Sequence, residues 1–475
     1  MRLTGTLLTA LLAAAALLTA AGQTDARAAE PGVVLDGDFF ASDHQLDGAH
    51  RSGARWIRVF AYRNQLEIAP GVLRPDLVRE YQRVVNRYGW EGLKTEIVLV
   101  GTPSWESGSS DHLVPPDPAG FARFARQFAA ALQFVGAYEI WNEADAEKWW
   151  RGAPDPAAYT RLLQAVYPGL KEASGGSEVL VGGLTGNNYE FVDQLYANGA
   201  QGSFDGVSVH TDTACGIASP YSFFRDPNGR ISRWSFLGYR EVLASMAAGG
   251  DGDKGLWFTE LGWSTSGAVC DQGMWAGQKA GGVTEELQAQ YLREAWHCIA
   301  AEPRVRGAFW FSLQDLGHED VPDHRFGLLR RDGSEKPAFA AFTAVARAGD
   351  QLTGPCGDFG GPAITMLELG DRGTTGVYRK QLRIKVSAAD DQWVRRITLY
   401  LNGKKLLNFG KQPGPVMVGE IDLDQAKLLP NGRHELLVVA RDGNGNEAQQ
   451  SFAVTKVAEK APAKKKKKKK KRRRR

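Results

Sequence analysis

The 475-residue chain is too long for one ordinary domain and long enough for a large core plus a second module. Its formal net charge of +4 comes from one end: Lys464 to Arg475 are all basic, and removing those twelve charges leaves −8 for the rest. A basic tail without interleaved aromatics on an acidic body argues against nucleic-acid binding. The four cysteines, Cys215, Cys270, Cys298 and Cys356, lack the C-x₂-C pair or histidine cluster of a zinc site.

Residues 1–28 read as a secretory signal peptide: Arg2 precedes an apolar run from Leu7 to Leu18, and Ala26-Arg27-Ala28 offers a cleavage site. That run is shorter than the ~20 residues needed to span a bilayer, a retained anchor being the alternative. In the oxidising compartment reached by such a leader, the cysteines permit two disulfides in three pairings.

From 31 to 350, short runs that are apolar on both faces alternate with helical periods. The strand candidates are 33–36, 56–60, 97–100, 138–141, 179–182, 206–209, 255–259 and 308–312. Helical stripes run through Leu77–Tyr88, Phe121–Leu132 and Tyr159–Val166, then 191–196, 239–246, 287–299 and 339–346. Eight buried parallel strands with intervening helices match a (β/α)₈ TIM barrel. A doubly wound open sheet is the alternative, but no glycine-rich phosphate loop follows the first strand. Cys215–Cys270 is the favoured disulfide, since both lie in loops after neighbouring strands; Cys298–Cys356 would then tie a late helix to the linker.

A glycine- and proline-rich linker follows at 351–362. From 363 to 457, alternating runs at 381–386, 396–401, 416–421, 434–439 and 452–454 are separated by turn signals such as Asn402-Gly403 and Asn431-Gly432. This pattern predicts a small all-β immunoglobulin-like sandwich. Trp393 stands alone there, which favours a spacer over a glycan-binding module. The polybasic tail at 458–475 is either a solvated, disordered extension or an electrostatic tether to anionic envelope polymers or lipid headgroups.

The chemistry lies in two glutamates. Glu143 follows strand four in Glu139-Ile140-Trp141-Asn142-Glu143, and Glu260 follows strand seven in Thr259-Glu260-Leu261-Gly262-Trp263. In a barrel both positions face the C-terminal rim, where active sites are built. Two carboxylates there, among tryptophans, are what glycoside hydrolysis needs: one donates a proton to the leaving oxygen, the other attacks or stabilises an oxocarbenium-like centre. Trp105, Trp149, Trp150, Trp263 and Trp275 fall in rim loops and could form a polymer groove. The long loops at 102–118 and 211–232 suggest a cleft.

These two motifs resemble the clan A retaining glycoside hydrolases, and more narrowly the β-xylosidase and α-iduronidase-like branch that includes secreted bacterial exopolysaccharide hydrolases. The resemblance covers about 31 to 348. It implies that Glu143 is the general acid/base and Glu260 the nucleophile. The pKa of Glu143 would be raised by burial and by the charge of Glu260, then fall once Glu260 is glycosylated. Asn142 would contact the sugar 2-hydroxyl, a strand-end cap being its alternative. Arg58 would sit beside the nucleophile, with a salt bridge to Glu139 as the alternative. His210 has either a site role or a structural one. Trp310 would stack the −1 sugar or else pack outward under a helix. Relatives often place a tyrosine after this histidine and a proline after the acid; here Asp212 stands near the first position, with Tyr221 the nearest tyrosine, and Ala144 occupies the second. The resemblance implies a carbohydrate substrate and no metal or organic cofactor. A transglycosylase using the same residues and a non-catalytic glycan-binding protein of the envelope are the alternatives.

Overall fold

The computed structural model describes residues 29–35, 42–215, 219–271, 276–410, 413–423 and 429–458. The expected signal peptide, Trp275 and the run from Lys464 lie outside them. The chain divides into two units, 1–357 and 358–475.

The first unit is the expected barrel. Eight parallel strands close on themselves: β1 (Glu30–Val34), β2 (Trp56–Tyr62), β3 (Lys94–Val100), β4 (Val135–Ile140), β5 (Glu178–Thr185), β6 (Gly206–Thr213), β7 (Gly255–Trp263) and β8 (Val305–Trp310). A principal helix follows each strand: α1 (Asp43–Ser52), α2 (Pro75–Arg87), α3 (Pro118–Ala129), α4 (Pro156–Ser174), α5 (Tyr189–Ala197), α6 (Tyr239–Ala248), α7 (Glu285–Ala300) and α8 (Pro337–Ala348). The starts are written locally. Asp117, Asp155, Asn188 and Thr284 cap their helices with side-chain oxygens, and proline opens α3 and α4.

The strands run further than their apolar cores. His210 and Glu260, just past the expected runs 206–209 and 255–259, therefore lie inside β6 and β7, as Arg58 lies inside β2. The cause is pairing: after a one-residue register shift between Val209 and His210, β6 and β7 stay paired as far as Thr213↔Trp263, well past the last aliphatic run.

The barrel interior is layered. One layer of it is the apolar cluster of Val34, Trp56, Ala137, Leu180, Trp257 and Phe309. Trp56 and Trp257 meet there edge-to-face at 5.2 Å. Two residues along, the same inward face turns polar: Arg58 follows Trp56 and Glu139 follows Ala137, while Arg58 pairs across β2–β3 with Glu96.

Both favoured disulfides are present, Cys215–Cys270 and Cys298–Cys356, with sequence separations of 55 and 58. Loop-closure entropy assigns each about 4 kcal/mol of stabilisation. The pairing suits an oxidising compartment. No helix among the described residues is long and apolar enough to cross a membrane.

The second unit is the expected sandwich, with one correction. The runs at 381–386 and 396–401 are not two strands but parts of a single one, Leu382–Leu401. Its first half pairs with Ala363–Gly370 and Gly414–Leu423; its second half pairs with Lys404–Phe409 and Gly432–Asp442. Register breaks between Ala389 and Val394, so one bent strand serves both layers. Its apolar face, including Ile384, Val386, Ile397 and Leu399, joins Leu436 and Val438 in a separate core.

Candidate active site

Glu143 leaves the barrel wall on a strained turn. Trp141 and Glu143 both have positive φ, 67° and 45°, a conformation that side-chain-bearing residues avoid. The turn fits because β5 carries glycines beneath it. A Cβ on Gly182 would lie 2.6 Å from the carbonyl oxygens of Ile140 and Trp141, and one on Gly183 would collide with the His210 ring at 1.9 Å. The Gly183 carbonyl accepts from the Glu143 N–H at 3.0 Å.

The structure brings five of the expected residues together. Arg58, fully buried, is their hub. Its Nη1 donates to Glu260 Oε1 at 2.6 Å, and its Nη2 donates to Glu139 Oε1 at 2.8 Å and to Asn142 Oδ1 at 2.9 Å. Arg58 therefore takes both partners posed for it. The His210 imidazole bridges the two glutamates, with Nδ1 2.9 Å from Glu143 Oε1 and 3.6 Å from Glu260 Oε2. Oxygens of Glu143 and Glu260 and a His210 nitrogen lie within 4.8 Å of one another. The trio is a poor metal cage, because a cation there would meet the guanidinium seated on Glu260. In the second unit Asp358, Asp390 and Asp442 are similarly close, but Asn444 and Asn446 donate to Asp358 and Asp442 and tie that loop together.

Burial pushes the Glu260 carboxyl up to about 7, against the pull of His210 and Arg58. Burial opposes charge on His210, but Glu260 and Glu143 outweigh it and raise the imidazole to about 9. Asp212 is pushed up to about 6, mainly by burial. The sign for activity follows. If Glu260 must be ionised, kcat/KM of the free enzyme falls as pH drops through about 7. His210→Asn removes a cation that favours the anion, so the break should move to higher pH. A pH–rate profile of both proteins checks this.

Beneath these residues, Glu96, Glu139 and Glu260 surround one guanidinium, with Glu96 and Glu139 fully buried. Neither Glu96 oxygen receives an N–H or O–H donor, whereas Arg58 donates to Glu139. Burial first, then the charge of Glu139, pushes Glu96 well up. Burial also works against charge on Glu139, but Arg58 and the hydrogen bond with Glu96 prevail and lower it. The two carboxyls are thus pushed in opposite directions, Glu96 toward the neutral acid and Glu139 toward the anion. Glu96→Gln, a neutral donor of similar shape, should change stability by less than ~1 kcal/mol, while Glu139→Gln should cost ~3 kcal/mol by stranding Arg58. Urea unfolding of both variants separates the two roles.

Neither a protein-family model nor a curated protein sequence matches the chain. Solved structures do. A family 39 glycoside hydrolase from the gut symbiont Bacteroides cellulosilyticus WH2 aligns with TM-score 0.55 and 19% identity, over 83% of this chain and 79% of that one. The family 39 enzyme from Xanthomonas axonopodis pv. citri aligns at 0.50 and 16%, over 83% and 92%. A family 39 β-xylosidase from Caulobacter crescentus aligns at 0.50 and 17%, over 79% and 84%. The chain shares its fold with these family 39 glycoside hydrolases.

Within this fold the expected aromatics are unevenly placed. Trp310 is fully buried, its Nε1 donating to the Phe326 carbonyl at 2.9 Å, and it packs on Trp263, itself 1% exposed. Neither offers an open face. The Tyr221 hydroxyl pairs with His297 on α7, not with a carboxylate of the hub. Trp105 is partly exposed on its rim loop, held by a bond from Nε1 to the Glu67 carbonyl. Trp150 is buried, whereas Trp149 stacks on Phe60, which also lies over Arg58 and against Tyr62.

The sequence reading missed the wall opposite. A cavity of about 190 Å³ is lined by Glu143, His210, Asp212, Thr213, Arg233 and Trp234, among others. Trp234 is 64% exposed. A lone tryptophan in the polar run Ser232-Arg233-Trp234-Ser235 was the available signal, just beyond the loop limit drawn at 232.

Proposed function

We propose that this chain is a retaining glycosidase acting on a polysaccharide or oligosaccharide. The observation that carries the reading is the approach of Glu143 and Glu260 to within 4.8 Å, oxygen to oxygen. Retaining enzymes hold their carboxyls ~5–5.5 Å apart and inverting ones ~6.5–9.5 Å, to leave room for water. The family 39 fold is consistent with it.

Glu260 attacks the anomeric carbon while Glu143 protonates the departing oxygen, leaving a glycosyl ester on Glu260. Glu143, now a carboxylate, takes a proton from water, which displaces Glu260 and restores both groups. Arg58 aims Glu260 and stabilises its anion. Asn142, its Oδ1 engaged by Arg58, keeps its amide N–H groups as donors for a substrate hydroxyl. His210 joins the two carboxyls and orients Glu143.

The leader-like start and the two disulfides support export. The basic run Lys464–Arg475 supports a tether to anionic envelope polymers or lipid headgroups by simple charge attraction. Incubation with a panel of polysaccharides, with products sized and their first-formed anomer read by NMR, tests the function. A shortened product with retained configuration is expected. Lengthened products would mark transglycosylation, and an inverted first anomer would remove the double displacement.

A further inference from the structure

We propose that Trp234 is the stacking wall of the subsite that binds the leaving-group sugar, a proposal resting on the glycosidase reading above. The loop between β6 and α6 carries it into the cavity that holds Glu143. Glu260 is not among that cavity's lining residues. In double displacement the acid touches the departing oxygen and the nucleophile touches the sugar retained on the enzyme. Space lined by Glu143 and not by Glu260 is therefore on the departing side.

Trp234 is exposed yet fixed. The Arg233 guanidinium sits 4.6 Å from its ring centroid, and Gly186 packs so closely that a Cβ there would lie 3.1 Å from the ring. Arg233 is itself clamped: its Nη2 donates to Asp145 at 3.1 Å, to Thr185 Oγ1 at 2.8 Å and to the Thr185 carbonyl. Asp145 also accepts from Thr185 N–H at 3.0 Å and from Asn188 at 2.6 Å. A large, well-anchored and largely exposed aromatic ring beside polar side chains is how proteins hold the apolar side of a pyranose while bonding its hydroxyls.

The lining also sets the ligand's charge. The cation of Arg233 is paired with Asp145 and that of His210 with Glu143, while Asp212 adds a further acidic group to the same cavity. Thr213 lines it too, and its hydroxyl has no protein partner. The leaving group is therefore a neutral sugar rich in hydroxyl donors, not a uronate or sulfated one.

Two probes test this: a polysaccharide cleaved in the panel, and the 1-fluoro derivative of the sugar it releases. Fluoride needs neither a stacking wall nor a proton donor. For Trp234→Ala, the ratio of kcat/KM on polysaccharide to kcat/KM on fluoride should fall about tenfold, the scale of one lost stacking contact. Trp234→Phe should recover most of it. An unchanged ratio, with cleavage of the panel substrate intact in the parent protein, would overturn the subsite and leave the glycosidase reading standing. Cleavage of no panel member by the parent protein would remove both. Faster cleavage of acidic than of neutral polymers would overturn the charge assignment.

Discussion

Glu260→Gly abolishes turnover of the panel substrate, and azide restores part of it as a glycosyl azide of inverted anomeric configuration. The loss follows from chemistry: without the carboxylate no glycosyl ester forms, and covalent catalysis of this kind accounts for several powers of ten in rate. The rescue follows from geometry. Removing the side chain opens a space next to the Arg58 guanidinium, which donates to Glu260 at 2.6 Å in the intact protein. A small anion is favoured there, and it meets the anomeric carbon from the nucleophile's side. Azide forms the new carbon–nitrogen bond as the glycosidic bond breaks, and Glu143 still protonates the departing oxygen. The product cannot lose azide to Glu260, so the configuration stays inverted. Product NMR reads it directly. Unchanged turnover in the glycine variant would end the assignment of Glu260 as nucleophile.

The corresponding loss at Glu143 should depend on the leaving group: large for a sugar, small for fluoride, because only the first needs protonation. That contrast separates the acid from the nucleophile without a second structure.

The barrel was legible in the sequence because its strands are buried on both faces, so each leaves a short, wholly apolar run between amphipathic helices. The count then carried Glu143 and Glu260 to one rim. The first helix, Asp43–Ser52, was not legible. Its buried face is Leu46, Gly48, Ala49 and Ser52, which gives little hydrophobic contrast, and its signal is the Ser42–Gln45 capping box instead. The long sandwich strand was divided by Asp390-Asp391, a polar interruption where the strand bends between layers. Aromatic function was the least legible. Trp263 and Trp310 sit at strand ends like cleft residues, but the sequence does not say which face a side chain takes at a strand terminus. Both turn into packing, while Trp234, in a loop with no period, reaches the cavity. Polar residues inside an apolar strand were more informative. Arg58 amid Trp56-Ile57-Val59-Phe60 could be buried only with anionic partners, and it found them.

Arg58→Met should be the most damaging single change outside the two glutamates. The guanidinium is fully buried and satisfies Glu139, Glu260 and Asn142 together. Removing one partner of a buried ionic network costs about 3–5 kcal/mol, because the others keep their desolvation penalty without the compensating charge. At neutral pH, Glu139 and Glu260 would have to take up protons, which removes the nucleophile even from molecules that stay folded. Loss of its anchor also frees the Glu260 side chain, and misplacement by ~1 Å costs on the order of a hundredfold in rate. Arg58→Lys should rescue little, since a single ammonium cannot reach three acceptors with the planar fork that Arg58 uses. Thermal unfolding across pH tells these costs apart. The deficit of Arg58→Met should shrink as pH falls, because protonating Glu139 and Glu260 cancels the stranded charges. A deficit that stays constant with pH would mean that Arg58 acts through packing alone, and the charge argument for the barrel's polar layer would fail.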